Sequence, residues 1–442
     1  MISATPLTEQ QQKKSQFNYN CFNAMNGTSY MCLGETVMIL LAIKMNSSEF
    51  TVSALGAMLY AGYLLLPLGK IAAAKYGGAY SQSLFWICRN IAALMVAASG
   101  VCFYFNWHAA SVALILTGAF FFYGFRAAGV VMSQPLVGEI TDEKSRGRFI
   151  SFTNGIFFCS RLVTLLAITY ITTKNDSLWT LVGIIIFGAC CGISSSKFMR
   201  NITETTAIRD SARKPLAPEI RWGLKNITMR RQLYAGFTLN FILLMTVPIS
   251  ILAVKRGYGV SDSDALVFTI AQTLGASVFG FVSSKLVKYI GPRKEMIAVM
   301  LICLFGCFSW QILPEQVPYG FMLFYFFMLG AVIVWNMGSP VNYFLQTIAP
   351  EHRVGGSVLL AVVTGAPSGI ATVIVSGSLL EIVSKYASTP LEGYRIYFLI
   401  AGLIGVPGIL VVKGLIPLDV DKRGVFSKAI LPRISRFITR RH

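Results

Sequence analysis

From Ala109 to Val137 the chain carries one ionisable side chain, Arg126. At about 1.5 Å rise per residue the run is long enough to cross a hydrocarbon core of roughly 30 Å as a helix. A guanidinium near the middle of such a helix costs about 3 kcal/mol or more, and is tolerated where it faces a bundle interior or a wet cavity. A chain built around this segment needs a polar interior inside an apolar body.

The rest of the sequence agrees. Of its 442 residues 55% are hydrophobic and 13% charged, the balance of a polytopic membrane protein. Twelve runs predict spans, at 19–44, 52–68, 82–105, 109–137, 149–172, 178–196, 232–254, 264–284, 295–313, 319–347, 355–384 and 393–415. The first sixteen residues, polar and bearing Lys13 and Lys14, show no cleavable leader and are expected in the cytoplasm. On that assignment 29 of the 38 basic residues fall on the cytoplasmic side, and only Lys44, Lys174, Lys255, Arg256, Lys385 and Arg395 fall outside. The predicted topology is N-in and C-in. The net charge of +19 is spread over every inner loop, so it argues for membrane orientation and against a nucleic-acid partner. All nine cysteines lie in spans, where neither a disulfide framework nor a zinc site is indicated.

A polar, basic linker at 197–231, containing Pro215 and Pro218, separates six spans from six. The halves repeat one plan. Leu41-Ala42-Ile43-Lys44 ends the first span and Leu252-Ala253-Val254-Lys255 the seventh; Lys75-Tyr76-Gly77 follows the second and Lys288-Tyr289-Ile290-Gly291 the eighth. Ile140-Thr141-Asp142-Glu143 with Gly147 matches Ile348-Ala349-Pro350-Glu351 with Gly355. In-order matches of this kind mark an internal repeat, and an even number of spans in each copy makes it a parallel one. The expected domains are an N-terminal six-helix bundle (1–196), the linker, a C-terminal six-helix bundle (232–420) and a basic tail (421–442) able to lie on the anionic inner leaflet.

Twelve spans as six plus six, the basic linker and the matched short loops together resemble the major facilitator superfamily across the whole chain. The stretch from Pro135 to Gly147, with Glu139 and Arg146-Gly147, is similar to that family's Pro…Glu…Arg-Gly signature, and Pro340, Gln346, Pro350 and Arg353 echo it in the second half. The loop after the second span, Gly69 to Gly77, has the family's glycines and a base but lacks its acidic residue, which in the family helps to latch the cytoplasmic side. The resemblance implies an all-α fold of two six-helix bundles around a midplane cavity exposed alternately to each side. It also implies a cytoplasmic gate, expected at Glu139, Arg146, Gln346 and Arg353.

Within the spans the candidate chemistry is sparse. Arg126 and Arg161 are expected to bind substrate, with Asn154 seven residues before Arg161 on about the same helical face and Ser133 in the same relation to Arg126. Glu35 is the acidic residue well inside a span and the candidate proton carrier, since burial and nearby cations push its ionisation in opposite directions. Arg89, two turns from a cytoplasmic end, is expected to snorkel to the headgroups. The second half offers neutral amides, of which Asn240 and Gln272 are the candidate substrate contacts. Trp335 and the aromatic run 321–327 read as packing.

The reading is a monomeric secondary transporter of a bacterial inner membrane, not an enzyme. It needs no cofactor and draws on a proton or other ion gradient, since neither a phosphate-cradling glycine loop nor a mid-membrane histidine pair is present. Two cations against one carboxyl point to proton-coupled import of a small organic anion. A neutral sugar or nucleoside symporter, multidrug-type efflux, and a non-transporting membrane sensor are the alternatives.

Overall fold

The computed structural model describes residues 2–3, 5–47, 51, 55, 58, 61–175, 177–260 and 262–418, and over these the chain is almost wholly helical. The first helix, α1 (Glu9–Cys32), opens with a capping box. Gln11 N donates to Thr8 Oγ1 at 3.3 Å and Thr8 N to Gln11 Oε1 at 3.0 Å, satisfying two otherwise orphaned donors. The run 19–44 is not one continuous span, because α1 stops at Cys32 and α2 (Glu35–Lys44) restarts after Gly34, whose backbone is extended (φ −64, ψ 162). Glu35, expected inside a continuous helix, instead opens α2. Its side chain lies outside the described residues, as does the basic tail 421–442.

The chain continues through α3 (Leu66–Tyr76), α4 (Gly78–Tyr104), α5 (His108–Val130), α6 (Ser133–Ile140), α7 (Glu143–Lys174) and α8 (Leu178–Arg200). The linker, read from sequence only as polar and basic, carries two short helices, α9 (Thr206–Arg213) and α10 (Leu216–Lys225). A strand β2 (Glu204–Thr205) pairs in parallel with β1 (Ile2–Ser3). Beyond it lie α11 (Ile227–Leu252), α12 (Asp262–Ile290), α13 (Pro292–Ser309), α14 (Tyr319–Thr347), α15 (Arg353–Thr364), α16 (Ala366–Tyr386) and α17 (Pro390–Lys413). The α15–α16 break falls at Gly365, just before Pro367, where a missing N–H and a fixed φ stop the helix.

Among the described residues nine helical stretches are long and apolar enough to cross a bilayer, and they coincide with nine of the twelve expected runs. The other three have separate explanations. The run 19–44 is broken at Gly34, 52–68 falls partly outside the described residues, and 295–313 is occupied by α13, whose first turn holds Arg293, Lys294 and Glu295. Large apolar side chains such as Val163, Phe187, Phe305 and Leu410 stand exposed on these helices, a pattern unstable in water and natural against lipid.

The described chain packs as two compact units. The first gathers Met1–Asp142, Thr153–Asn226 and Ile348–Ala371; the second gathers Glu143–Phe152, Ile227–Thr347 and Thr372–His442. The linker helices and the stretch after Ile348 therefore cluster with the first unit, whereas the sequence places boundaries at 196 and 232. Hydrogen bonds account for this: Arg213 Nε donates to Ala74 O at 3.2 Å, Ser211 Oγ to Glu351 O at 2.8 Å, and His352 Nδ1 pairs with Glu219 Oε2 at 2.9 Å. The core of the first unit joins Leu33, Val37 and Leu41 around α2 with Val96, Ile115, Phe122 and Ile185. In the second unit Trp310 stacks on Phe398 at 4.7 Å, and Tyr397 Oη donates to Met245 O at 3.0 Å.

Candidate functional site

The polar interior required by Arg126 lies in the first unit, where α1, α4, α5 and α7 turn matched residue pairs toward one another. Spacings of three or four place both members of a pair on one helical face. The pairs are Asn26 and Tyr30 on α1, Trp86 and Arg89 on α4, Phe122 and Arg126 on α5, and Phe157 and Arg161 on α7. Gly27 makes the arrangement possible, since a Cβ there would sit 2.5 Å from Phe157 O. With no side chain at that point α1 and α7 approach backbone to backbone, and Tyr30 meets Phe157 edge-on at 5.8 Å.

Tyr30 is the centre of the cluster. The guanidinium carbon of Arg126 lies 5.1 Å from its ring centroid and that of Arg161 4.9 Å, both within cation–π range. Arg161 also rests against Phe158 at 5.2 Å, and its Nε has no hydrogen-bond partner. No carboxylate pairs with either arginine among the described residues. A cavity of about 90 Å³ opens beside Arg126, lined by Tyr63, Leu66, Tyr123 and Val131 among others. Asn154 lies half-buried on α7 two turns before Arg161. Ser133 does not extend the face of Arg126, because α5 ends at Val130 and Ser133 begins α6, where its hydroxyl accepts from Gln82 Nε2 at 2.8 Å.

Arg89, expected at the membrane surface, is fully buried. It does not snorkel to the headgroups: its exposure is 0%, and Nη1 donates to Asn26 Oδ1 at 3.0 Å. The same oxygen accepts from Trp86 Nε1 at 3.0 Å. Snorkelling needs a path to the membrane surface, and the Trp86 and Phe122 rings, 5.0 and 4.7 Å from the guanidinium carbon, close it.

A family model described as Major Facilitator Superfamily matches residues 21–373. The chain belongs to the Major Facilitator Superfamily. This superfamily member is thus a transporter, a multi-pass integral membrane protein that handles small molecules within a lipid bilayer, and not an enzyme. Among solved structures it is similar to XylE, described as a proton:xylose symporter bound to 6-bromo-6-deoxy-D-glucose. The two share 15% identity and a TM-score of 0.68, over 93% of this chain and 97% of that one. It is also similar to FucP, the fucose:proton symporter of E. coli (14% identity, TM-score 0.65, 90% and 98% covered). A third is a bacterial homologue of the iron transporter ferroportin in an outward-facing state (12%, 0.65, 91% and 99%). At these identities the likeness is one of fold. No curated protein matches the chain in sequence.

In the second unit of this superfamily member Asn336 Nδ2 donates to Asn240 Oδ1 at 2.7 Å, so the two amides form a pair. Gln272 is buried and its Nε2 has no hydrogen-bond partner. Trp335 donates from Nε1 to Ser283 Oγ.

The four expected gate residues fall into both units. In the first, Glu139 Oε2 accepts from Thr205 N at 3.1 Å and Thr205 Oγ1 at 2.6 Å, and Arg353 Nε donates to Ile348 O at 3.3 Å. In the second, Arg146 Nη1 donates to Leu345 O at 2.9 Å, beside Gln346, whose amide turns to Asn342 Oδ1 at 2.9 Å.

The loop after α3 lacks its acid in sequence but not in space. Glu204 of β2 accepts from Gly78 N at 2.8 Å and Ala79 N at 3.1 Å, filling the N-terminus of α4. Gly77, at φ +93, leaves room for it, since a Cβ would lie 2.4 Å from Glu204 Oε1. Burial raises the Glu204 carboxyl to about 7 against the lowering pull of those two N–H donors.

Sequence reasoning missed Tyr30, Asn26, Glu204 and Glu295. Glu295 is buried in the first turn of α13, where its Oε2 accepts from Ser339 Oγ at 2.6 Å. The i, i+4 pairing of Asn26 with Tyr30 was the available signal for α1. Nothing local marked Glu204, whose partners lie well over a hundred residues away in sequence.

Proposed function

We propose that the protein is a secondary active transporter working by alternating access, and that it imports a small organic anion, a sugar acid or carboxylate, together with a proton. The supporting observation is that Arg126 and Arg161 share the ring of Tyr30 with no carboxylate paired to either among the described residues. A planar guanidinium matches a carboxylate with two parallel hydrogen bonds, and a water-poor interior strengthens the attraction. Asn154 donates alongside, and Asn240 and Gln272 contact the neutral remainder of the substrate. Glu35, at the start of α2, carries the proton, taking it up and releasing it once in each transport cycle. Glu139, Arg146, Gln346 and Arg353 form the cytoplasmic gate. The chain acts as a monomer in a bacterial inner membrane, both termini inside, with an ion gradient as its energy source.

Uptake into vesicles tests this. Arg126→Ala and Arg161→Ala should each abolish uptake, whereas wild-type transport by both would remove the anion site. Glu35→Gln should abolish accumulation while leaving exchange of preloaded substrate.

A second reading, a neutral sugar symporter, draws support from the Asn336–Asn240 pair and the unpartnered Gln272 Nε2. The fold likeness to structures described as proton symporters of xylose and fucose points the same way. It requires neutral sugars to compete for uptake as well as sugar acids do.

A further inference from the structure

Arg89 is the most deeply buried cation of the first unit, and the anion reading gives it no part. Its guanidinium lies at 0% exposure between the Trp86 and Phe122 rings, with Nη1 on Asn26 Oδ1. Its Nε and Nη2 have no hydrogen-bond partner, and no carboxylate among the described residues pairs with it.

Bracing alone does not account for such a residue. A buried charge without a counter-ion costs several kcal/mol even after relaxation, and a neutral amide would hold Asn26 at less cost. What the guanidinium supplies and a neutral donor does not is field. In the protein interior charges interact through an effective dielectric near 20 in place of about 80, and the Arg89 guanidinium rests 4.7 Å from the ring of Phe122, one helical turn before Arg126 on α5. The helix that holds Arg89 through Asn26 also carries, four residues on, the ring beneath Arg126 and Arg161.

We propose that Arg89 is the third cation of the anion site and that the three-guanidinium cluster selects doubly charged oxyanions over singly charged ones. This rests on the anion reading and adds the charge number to it. A monoanion leaves two of the three positive charges uncompensated and mutually repelling. A dianion leaves one, and Asn26 and two ring faces already cradle Arg89. Arg89 touches no substrate; it is a positioning residue that acts through its field. Two sources of a dianion, a dicarboxylate and an organic phosphate, share this chemistry.

Thermal stabilisation of the purified full chain, titrated at pH 8, separates them. Succinate is set against succinamate, and methyl phosphate against dimethyl phosphate, so that each pair differs chiefly in one charge. In the wild type at least one dianion should bind about tenfold tighter than its partner, a step of about 1.4 kcal/mol. The pair that shows the step names the source. Arg89→Met, which leaves two guanidiniums in place, should lower the ratio severalfold by weakening the dianion more than the monoanion, and Arg89→Lys should keep the preference. Should Arg89→Met fail to fold, Asn26→Asp places a counter-ion on the guanidinium and should lower the preference in the same way with Arg89 in place. Equal binding within both pairs, or equal loss of both members on Arg89→Met, overturns the proposal. Failure of every anion to bind the wild type, or full binding by Arg126→Gln and Arg161→Gln, overturns the anion reading instead. Anion binding that depends on those two arginines but ignores charge number overturns this inference alone.

Discussion

Arg126 of α5 and Arg161 of α7 rest on the same aromatic ring, their guanidinium carbons 5.1 and 4.9 Å from the centroid of Tyr30. Two like charges that share a ring repel each other, and the ring's negative face offsets roughly 0.5–2 kcal/mol per contact. Tyr30→Leu removes that offset from both. Under the anion reading, apparent substrate affinity should fall by about tenfold, while Tyr30→Phe, which keeps the ring, should lose less. Concentration-dependent uptake checks this, and equal effects of the two variants would remove the ring from the account.

Gly27 sets the distance between α1 and α7. A Cβ at 2.5 Å from Phe157 O meets backbone, which cannot swing aside as a side chain can. Gly27→Val should therefore lose most transport, whereas Gly320→Ala, whose added methyl would have nothing within 4 Å, should be neutral within about 0.5 kcal/mol. Normal uptake by Gly27→Val would show that this close approach is dispensable.

Asn26 Oδ1 is a single acceptor serving two buried donors, Trp86 Nε1 and Arg89 Nη1. Asn26→Leu orphans both. Each should cost about 1–3 kcal/mol, so the thermal midpoint of the purified protein should drop by several degrees. An unchanged midpoint would mean that other groups replace the lost acceptor.

Glu204 has its carboxyl raised by burial from 4.5 to about 7. For a raised acid the protonated form is favoured by the fold, so the contribution is full below pH 4.5 and is lost as pH rises toward 7. By linkage the loss is on the order of 3 kcal/mol. Glu204→Gln does not titrate. The midpoint of the wild type relative to Glu204→Gln should therefore fall between pH 4.5 and 7 and flatten above it, and a difference independent of pH would contradict the assignment.

Most of the scaffold was legible in the sequence because bilayer thickness imposes it. A helix must carry an apolar run of fixed length, and nine of the expected runs appear as such helices. What was not legible comes from contacts between distant segments. The break at Gly34 has no proline to announce it, and Arg89 is trapped by rings on α4 and α5 that spacing alone does not place. The linker looked featureless by hydropathy, yet its Glu204 stands where the loop after α3 has no acid of its own. Arg126 and Arg161 stand out by rule in the sequence, since a cation within a span needs a reason. The ring they share was not, because an aromatic residue in an apolar run carries no such signal.

The most direct measurement of the central claim is ligand-induced stabilisation of the purified protein by glucose and by glucuronate, the same ring with and without a carboxylate, compared in the wild type and in Arg126→Gln/Arg161→Gln. A ligand that binds the folded state raises its midpoint according to affinity. Glucuronate should raise the wild-type midpoint, glucose should not, and the double variant should lose the response. Equal stabilisation by both sugars, or a glucuronate response that survives loss of both arginines, would contradict it.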